Sequence, residues 1–158
     1  MPMYYSLSDS RATSASAATQ LNVARMSTAA RQAAISRVLV GAKAAAQDNQ
    51  TFHQLWRPST APTGGTAQVP IAHDPSSPAP TTVYATSATA ITAGAKGLFP
   101  VVQLPFNSRA MVQWVALNPD EAITMVAAAV AATGNMEVWN EEAAAVAVTT
   151  VFTTTWYE

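Results

Sequence analysis

"ARQAAISRVLVGAKAAAQ", residues 30–47, decides the fold class. Its alanines favour a helix, and Gln32, Ser36, Lys43 and Gln47 would share one polar helical face. As a strand, the same stretch sets Ala34, Ser36, Val38, Val40 and Ala42 on one side and Ile35, Arg37, Leu39, Gly41 and Lys43 on the other. That alternation is imperfect, since Ser36 interrupts the apolar side and Ile35 and Leu39 the polar one. Two features favour the strand. Val38-Leu39-Val40 is a β-rich centre, and Gly41 would weaken a helix in its middle.

With this stretch read as a strand, the rest of the chain falls into line. "QTFHQLWRPS" (50–59) is a strand closed by Pro58, and "APTGGTAQVP" (61–70) is a Pro- and Gly-rich turn region. "TTVYATSATAITA" (81–93) alternates again. "LFPVVQLPF" (98–106), with Pro100 and Pro105, suits an edge or bent strand. "RAMVQWVAL" (109–117) alternates before the turn "NPDEA" (118–122), where a helix capped by Asp120 competes with the following strand "AITMVAAAVA". "GNMEVWN" (134–140) and "AVAVTTVFTTTWYE" (145–158) are the last strands, the second with the strongest β-propensity of the chain. Seven to nine strands separated by turns predict an all-β fold, an antiparallel β-sandwich of jelly-roll-like type. Residues 1–30, polar and small with Tyr4, Tyr5 and Leu7 as apolar points, are an extended N-terminal arm or a first strand. Residues 31–158 are then the single sandwich domain.

The length of 158 residues is enough for one domain to bury ~70% of the surface of its unfolded chain. Charged residues are only 11%, the net charge is −1, and Arg25, Arg31, Arg37 and Lys43 are spread six residues apart. Such a chain has no basic cluster for nucleic acid or anionic lipid. It is poorly defended against association, a composition suited to life inside an assembly. With no cysteine, disulfides, thiolate metal sites and cysteine nucleophiles are excluded. The opening "MPMYYSLSDSRATSAS" lacks the pattern of a secretory signal. The longest apolar run, "AITMVAAAVAA", has 11 residues against the ~20 of a membrane-spanning helix. A soluble chain without a membrane partner is expected.

"GGTAQVPIAHDPSSPAP" (64–80) is the stretch that most resembles chemistry, through His73-Asp74. The only other histidine, His53, is twenty residues away between Phe52 and Gln54, so no metal-ligand spacing is present. No GxSxG elbow exists, and "TGG" at 63–65 lacks the lysine and spacing of a phosphate loop. Asp120-Glu121 and Glu141-Glu142 are adjacent pairs, which on a strand would point to opposite faces rather than flank one bond. Asp74 before Pro75 suits a turn in which the carboxylate accepts amides two residues on. Trp114, Trp139 and Trp156 lie in predicted strands, where core anchoring precedes an interface role. The expectation is a structural loop at 64–80, no enzyme and no cofactor.

The chain resembles a recurrent group of small phage-encoded virion proteins. The residues that carry the likeness are Gly65, Thr66 and Ala67 after a strand, then Pro70, then Asp74-Pro75, then the Ala- and Thr-rich "SSPAPTTVYATS". "NPDEAITM" supplies the later turn before a strand, so that roughly residues 30–128 are covered. The resemblance implies a β-sandwich component of the particle without enzymatic activity: a capsid decoration (cement) protein on the capsid exterior, made in the host cytoplasm. Its partners would be the major capsid protein and itself, as a homotrimer or homodimer. Tyr4, Tyr5 and Leu7 in the arm and Trp156 and Tyr157 at the far end are the expected protein-contact residues, and Gly65, Thr66, Pro70, Asp74 and Pro75 the structural loop. If the arm carries binding, deletion of residues 1–20 is expected to abolish attachment while leaving the melting of the fold largely unchanged. A tail, neck or fibre component and a carbohydrate-binding module with Trp and Tyr platforms are the alternatives.

Overall fold

The computed structural model describes residues 1–12, 19–26, 33–44, 48, 50–57, 63–79, 82–92, 101–107, 109–125, 136–140 and 149–158, some strand residues by their backbone alone. The strands in chain order are β1 (Tyr4–Ala12), β2 (Thr19–Met26), β3 (Ala33–Ala44), β4 (Gln50–Trp56), β5 (Thr63–Gln68) and β6 (Ile71–Ala72). They continue with β7 (Thr82–Thr92), β8 (Val102–Asn107), β9 (Val112–Val115), β10 (Ile123–Met125), β11 (Met136–Asn140) and β12 (Thr149–Tyr157). A 3-10 turn, Pro119–Glu121, separates β9 from β10. No helix among the described residues is long and apolar enough to cross a membrane.

The strands make two six-stranded antiparallel sheets. The first runs β10-β3-β12-β1-β6, with β9 also on β3, and the second β5-β7-β2-β11-β4-β8. The first and last strands lie side by side, paired without a break from Tyr4↔Tyr157 to Ala12↔Thr149. β12 pairs with β3 on its other edge.

Strand alternation builds the core. β12 buries Thr150, Phe152, Thr154 and Trp156 and half-exposes the residues between them. β1 sends Tyr5 and Leu7 inward, β3 adds Val38 and Val40, and β10 adds Ile123 and Met125. From the second sheet Leu55 on β4 and Leu104 and Phe106 on β8 join the same cluster, so both sheets contribute to one core. A fully buried side chain such as Phe152 stabilises the fold by about 2 kcal/mol.

The imperfect alternation of residues 34–43 has a physical cause. Thr155 pairs with Arg37 but Trp156 with Ile35, which leaves Ser36 as an extra residue in β3. This bulge reverses the strand's phase, so Ile35 and Ala33 return to the core face beside Val38 and Val40. The Ser36 hydroxyl donates to the Thr155 carbonyl across the irregularity (3.3 Å). On the opposite face, a Cβ at Gly41 would meet nothing within 4 Å, so that surface is open.

Three sequence expectations change. Residues 63–68, expected in a turn region, are strand β5, because pairing with β7 outweighs the glycine signal; its register shifts between Gly64 and Thr66. The helix expected to compete at Asp120 is one 3-10 turn capped by Asn118, not Asp120. Tyr4–Ala12, open between an arm and a first strand in the sequence, is a strand between β12 and β6 with Tyr5 and Leu7 in the core, so its deletion is expected to lower stability rather than leave it unchanged. Residues 126–132, Pro58 and Glu141-Glu142 lie outside the described residues.

Candidate functional site

The expected contact residues divide by strand phase. Tyr5, Leu7 and Trp156 face the core, where a side chain has no surface to offer a partner; Tyr5 and Trp156 are 0% exposed. Their rings lie 6.1 Å apart within the fold. Tyr4 and Tyr157, one residue away on each strand, face outward and come together at 5.5 Å. Period two in the backbone therefore keeps two of the five residues for a surface role.

The 64–80 stretch is built as structure. Gly65 and Thr66 belong to β5, Pro70 lies in the link to β6, and Asp74 and Pro75 form the turn after it. Asp74 Oδ1 accepts from the Ser76 amide (2.9 Å) and hydroxyl (2.7 Å), and the Ser77 amide donates to the Asp74 carbonyl (3.0 Å). The Ser76 bonds, the amide first, hold the exposed Asp74 carboxyl below its usual range. Two bonds tie the turn to β1: the His73 amide donates to the Tyr4 carbonyl (2.9 Å) and the Tyr5 hydroxyl to the Pro78 carbonyl (2.8 Å). The His73 ring is stacked beside Tyr4 at 6.3 Å. Its carboxylate neighbour is engaged with Ser76, not with the imidazole.

A second element completes this surface. β9 pairs with Arg37–Val40, the Ala116 amide donates to the Ser36 carbonyl (2.9 Å), and β10 resumes pairing at Ile35. β9 and β10 are thus one edge strand of the first sheet, interrupted by residues 117–122, which stand out from it. The protrusion is braced from within. Asn118 Oδ1 accepts from the Asp120 and Glu121 amides (3.0 and 3.1 Å), while Glu121 accepts from the Leu117 amide and the Asn118 side-chain amide (3.0 and 2.9 Å). Between protrusion and sheet lies a pocket of about 200 Å³ lined by Tyr4, Tyr157, Leu117, Pro119, Ala116 and Ala122, with Ser36 and Asn118. Leu117 at its rim is 86% exposed, and Ile71, across β1 from β12, is 70% exposed.

His53 is the residue whose setting the sequence did not reveal. Its position on β4 beside Leu55, two residues on, places it inward, between the rings of Phe106 (4.9 Å) and Phe152 (6.2 Å). Neither ring nitrogen has a hydrogen-bond partner. Burial lowers its pKa to about 4, so it is neutral at pH 7. The period-two link to Leu55 was the available signal; that the facing residues would be Phe152 and Phe106 was not. Among the described residues no three His, Cys, Asp or Glu side chains group as metal ligands. Arg57, where β4 ends, donates to the Thr124 carbonyl on β10 (2.9 Å) and so bonds one sheet to the other; partial burial lowers its pKa.

A scan against protein-family models, a search of curated proteins and a search of solved structures each find no match to this chain.

Proposed function

We propose that this chain is a structural protein of a phage particle, a capsid decoration (cement) protein that binds the outer shell and stabilises the assembled head. In this reading the two sheets form a jelly-roll-like antiparallel sandwich, and the partners are the major capsid protein and further copies of the chain. The observation that carries the reading is the character of the outer surface. Charge is scarce, at 11% of residues. Ser8, Ser10 and Thr124 are exposed on the outer face of the first sheet, and Val69, Ile71, Leu117 and Met111 are large apolar side chains left in solvent. A surface of short hydroxyls and isolated apolar anchors suits burial against neighbouring subunits better than turnover of a small substrate. Many copies, each adding a modest contact, would tie shell subunits together by multivalency.

The contact residues in this reading are Tyr4 and Tyr157 with Leu117 and Ile71, in place of the inward Tyr5, Leu7 and Trp156. Phage particles assembled without the chain are expected to form and then to release their genome at a lower temperature. Adding the purified protein back is expected to restore the wild-type release temperature. Particles equally heat-stable with and without the chain would remove the cement function, and a failure to assemble tails would favour the tail or neck alternative.

A further inference from the structure

We propose that the pocket between the Leu117–Ala122 protrusion and the first sheet is a socket for a second copy of this chain, filled by that copy's Arg109–Met111 turn. The inference rests on the assembly reading above and names the surfaces that would meet.

The pocket's chemistry selects the occupant. Of its polar side chains, Asn118 is engaged by the braced turn, Ser36 by the Thr155 carbonyl and the Tyr157 hydroxyl by the Pro119 carbonyl (3.5 Å), so that the two tyrosines present mainly their ring faces. A sugar or other hydroxyl-rich ligand would find few groups waiting, whereas Tyr4, Tyr157, Leu117, Pro119 and Ala122 offer an apolar wall for a protruding side chain. The surroundings carry negative charge. Asp120 is exposed on the protrusion itself, and Asp74 follows the His73 that stacks on Tyr4. Arg37, beside Ser36 in sequence, is turned toward Gln113 (3.2 Å). The fitting partner therefore presents an apolar side chain next to a cation.

The chain carries that pair at the other end of the same edge strand. Met111 is 65% exposed just before β9, and Arg109 two residues earlier is also exposed. Their turn is held in shape, since Asn107 Oδ1 accepts from the Arg109 amide (2.9 Å) and its carbonyl from the Ala110 amide (2.8 Å). Met111 and Ala116 are separated by about 17 Å of extended strand, so a copy cannot fill its own socket. Met111 enters the apolar wall of the neighbour while Arg109 faces Asp120. Because two different surfaces meet, two copies make the contact twice about a two-fold axis, or several make it once each around a ring.

The test is sedimentation of the purified full chain as a function of concentration. Wild-type protein is expected to self-associate; Asp120→Arg and Arg109→Glu are each expected to weaken association about ten-fold or more, and the double variant to recover it. Both positions are in exposed turns, and unchanged thermal melting confirms that a variant has kept its fold. A wild-type chain that stays monomeric at its highest soluble concentration, or a double variant no better than the singles, would overturn the proposal. Monomeric chains that still protect particles from heat would leave the cement reading standing and remove this socket alone. Self-association that follows the charge reversals in a chain absent from particles would do the opposite.

Discussion

His53 lies on β4 with both ring nitrogens sealed between the two sheets, while His73, in the turn after β6, rests its ring beside Tyr4 on the outside. In the sequence His73 stands out as the chemical one, with an aspartate at its side, and His53 as an ordinary strand residue. The fold reverses this. Asp74 serves its own turn, and His73 packs on an aromatic surface; His53 is the group held far from its usual state. A titratable residue's neighbours in space set its behaviour, and adjacency in sequence is a poor guide to them.

Several measurements would break or sharpen this contrast. The largest effect is expected where His53 meets the facing sheet. Phe152→Ala opens a cavity beside the imidazole and should lower stability by about 3–5 kcal/mol in urea unfolding, against a much smaller change for the outward Tyr157→Ala. Equal losses from the two would contradict the inward and outward phases of β12.

The next effect is on pH. His53 has a folded pKa of about 4 against 6.5 when exposed, so below 6.5 the unfolded chain takes up a proton that the folded chain refuses. Stability is therefore fully present above pH 6.5 and falls as pH drops toward 4, by about 3 kcal/mol from this group. Urea midpoints across that window should show the fall, and His53→Leu should remove this component. At pH 7 the same His53→Leu change removes two unsatisfied buried nitrogens and is expected to raise stability by about 1–2 kcal/mol. A strongly destabilised His53→Leu protein would mean that the imidazole makes bonds the structure does not contain.

The smallest effect is expected at the other histidine. His73→Ala loses one ring contact on an exposed turn and should change stability by about 0.5 kcal/mol or less, measured by the same unfolding curves. Asp74→Ala should act through the turn, loosening 73–77 in hydrogen exchange without a change at β4.

Much of the strand content was legible because it rests on local pattern. "TTVFTTTWY" is so rich in β-branched and aromatic residues that the strand is legible, but threonines on both faces hide its core side, and Trp156, expected as a contact residue, turns out to lie with Phe152 in the core. "LPF" with Pro105 reads as an edge strand, and β8 ends the second sheet's strand order. What escaped depends on pairing between distant residues. The bulge that returns Ile35 to the core is defined by its partners on β12, over a hundred positions away. β5 reads as a turn because Gly64 and Gly65 are locally weak, and only β7 makes a strand of them. Tyr4 and Tyr5 are equally attractive contact residues until the pairing of β1 with β12 fixes which one faces out. "NPDEA" was visible as a turn, but not that it interrupts one edge strand and walls a pocket.

The central claim is that this chain is a shell-wide component of a phage head, and copy number tests it most directly. Quantitative mass spectrometry of purified particles of the proposed phage would count the chain against the major capsid protein. The account predicts a ratio near one or a simple fraction of it. A handful of copies per particle, or none, would contradict it.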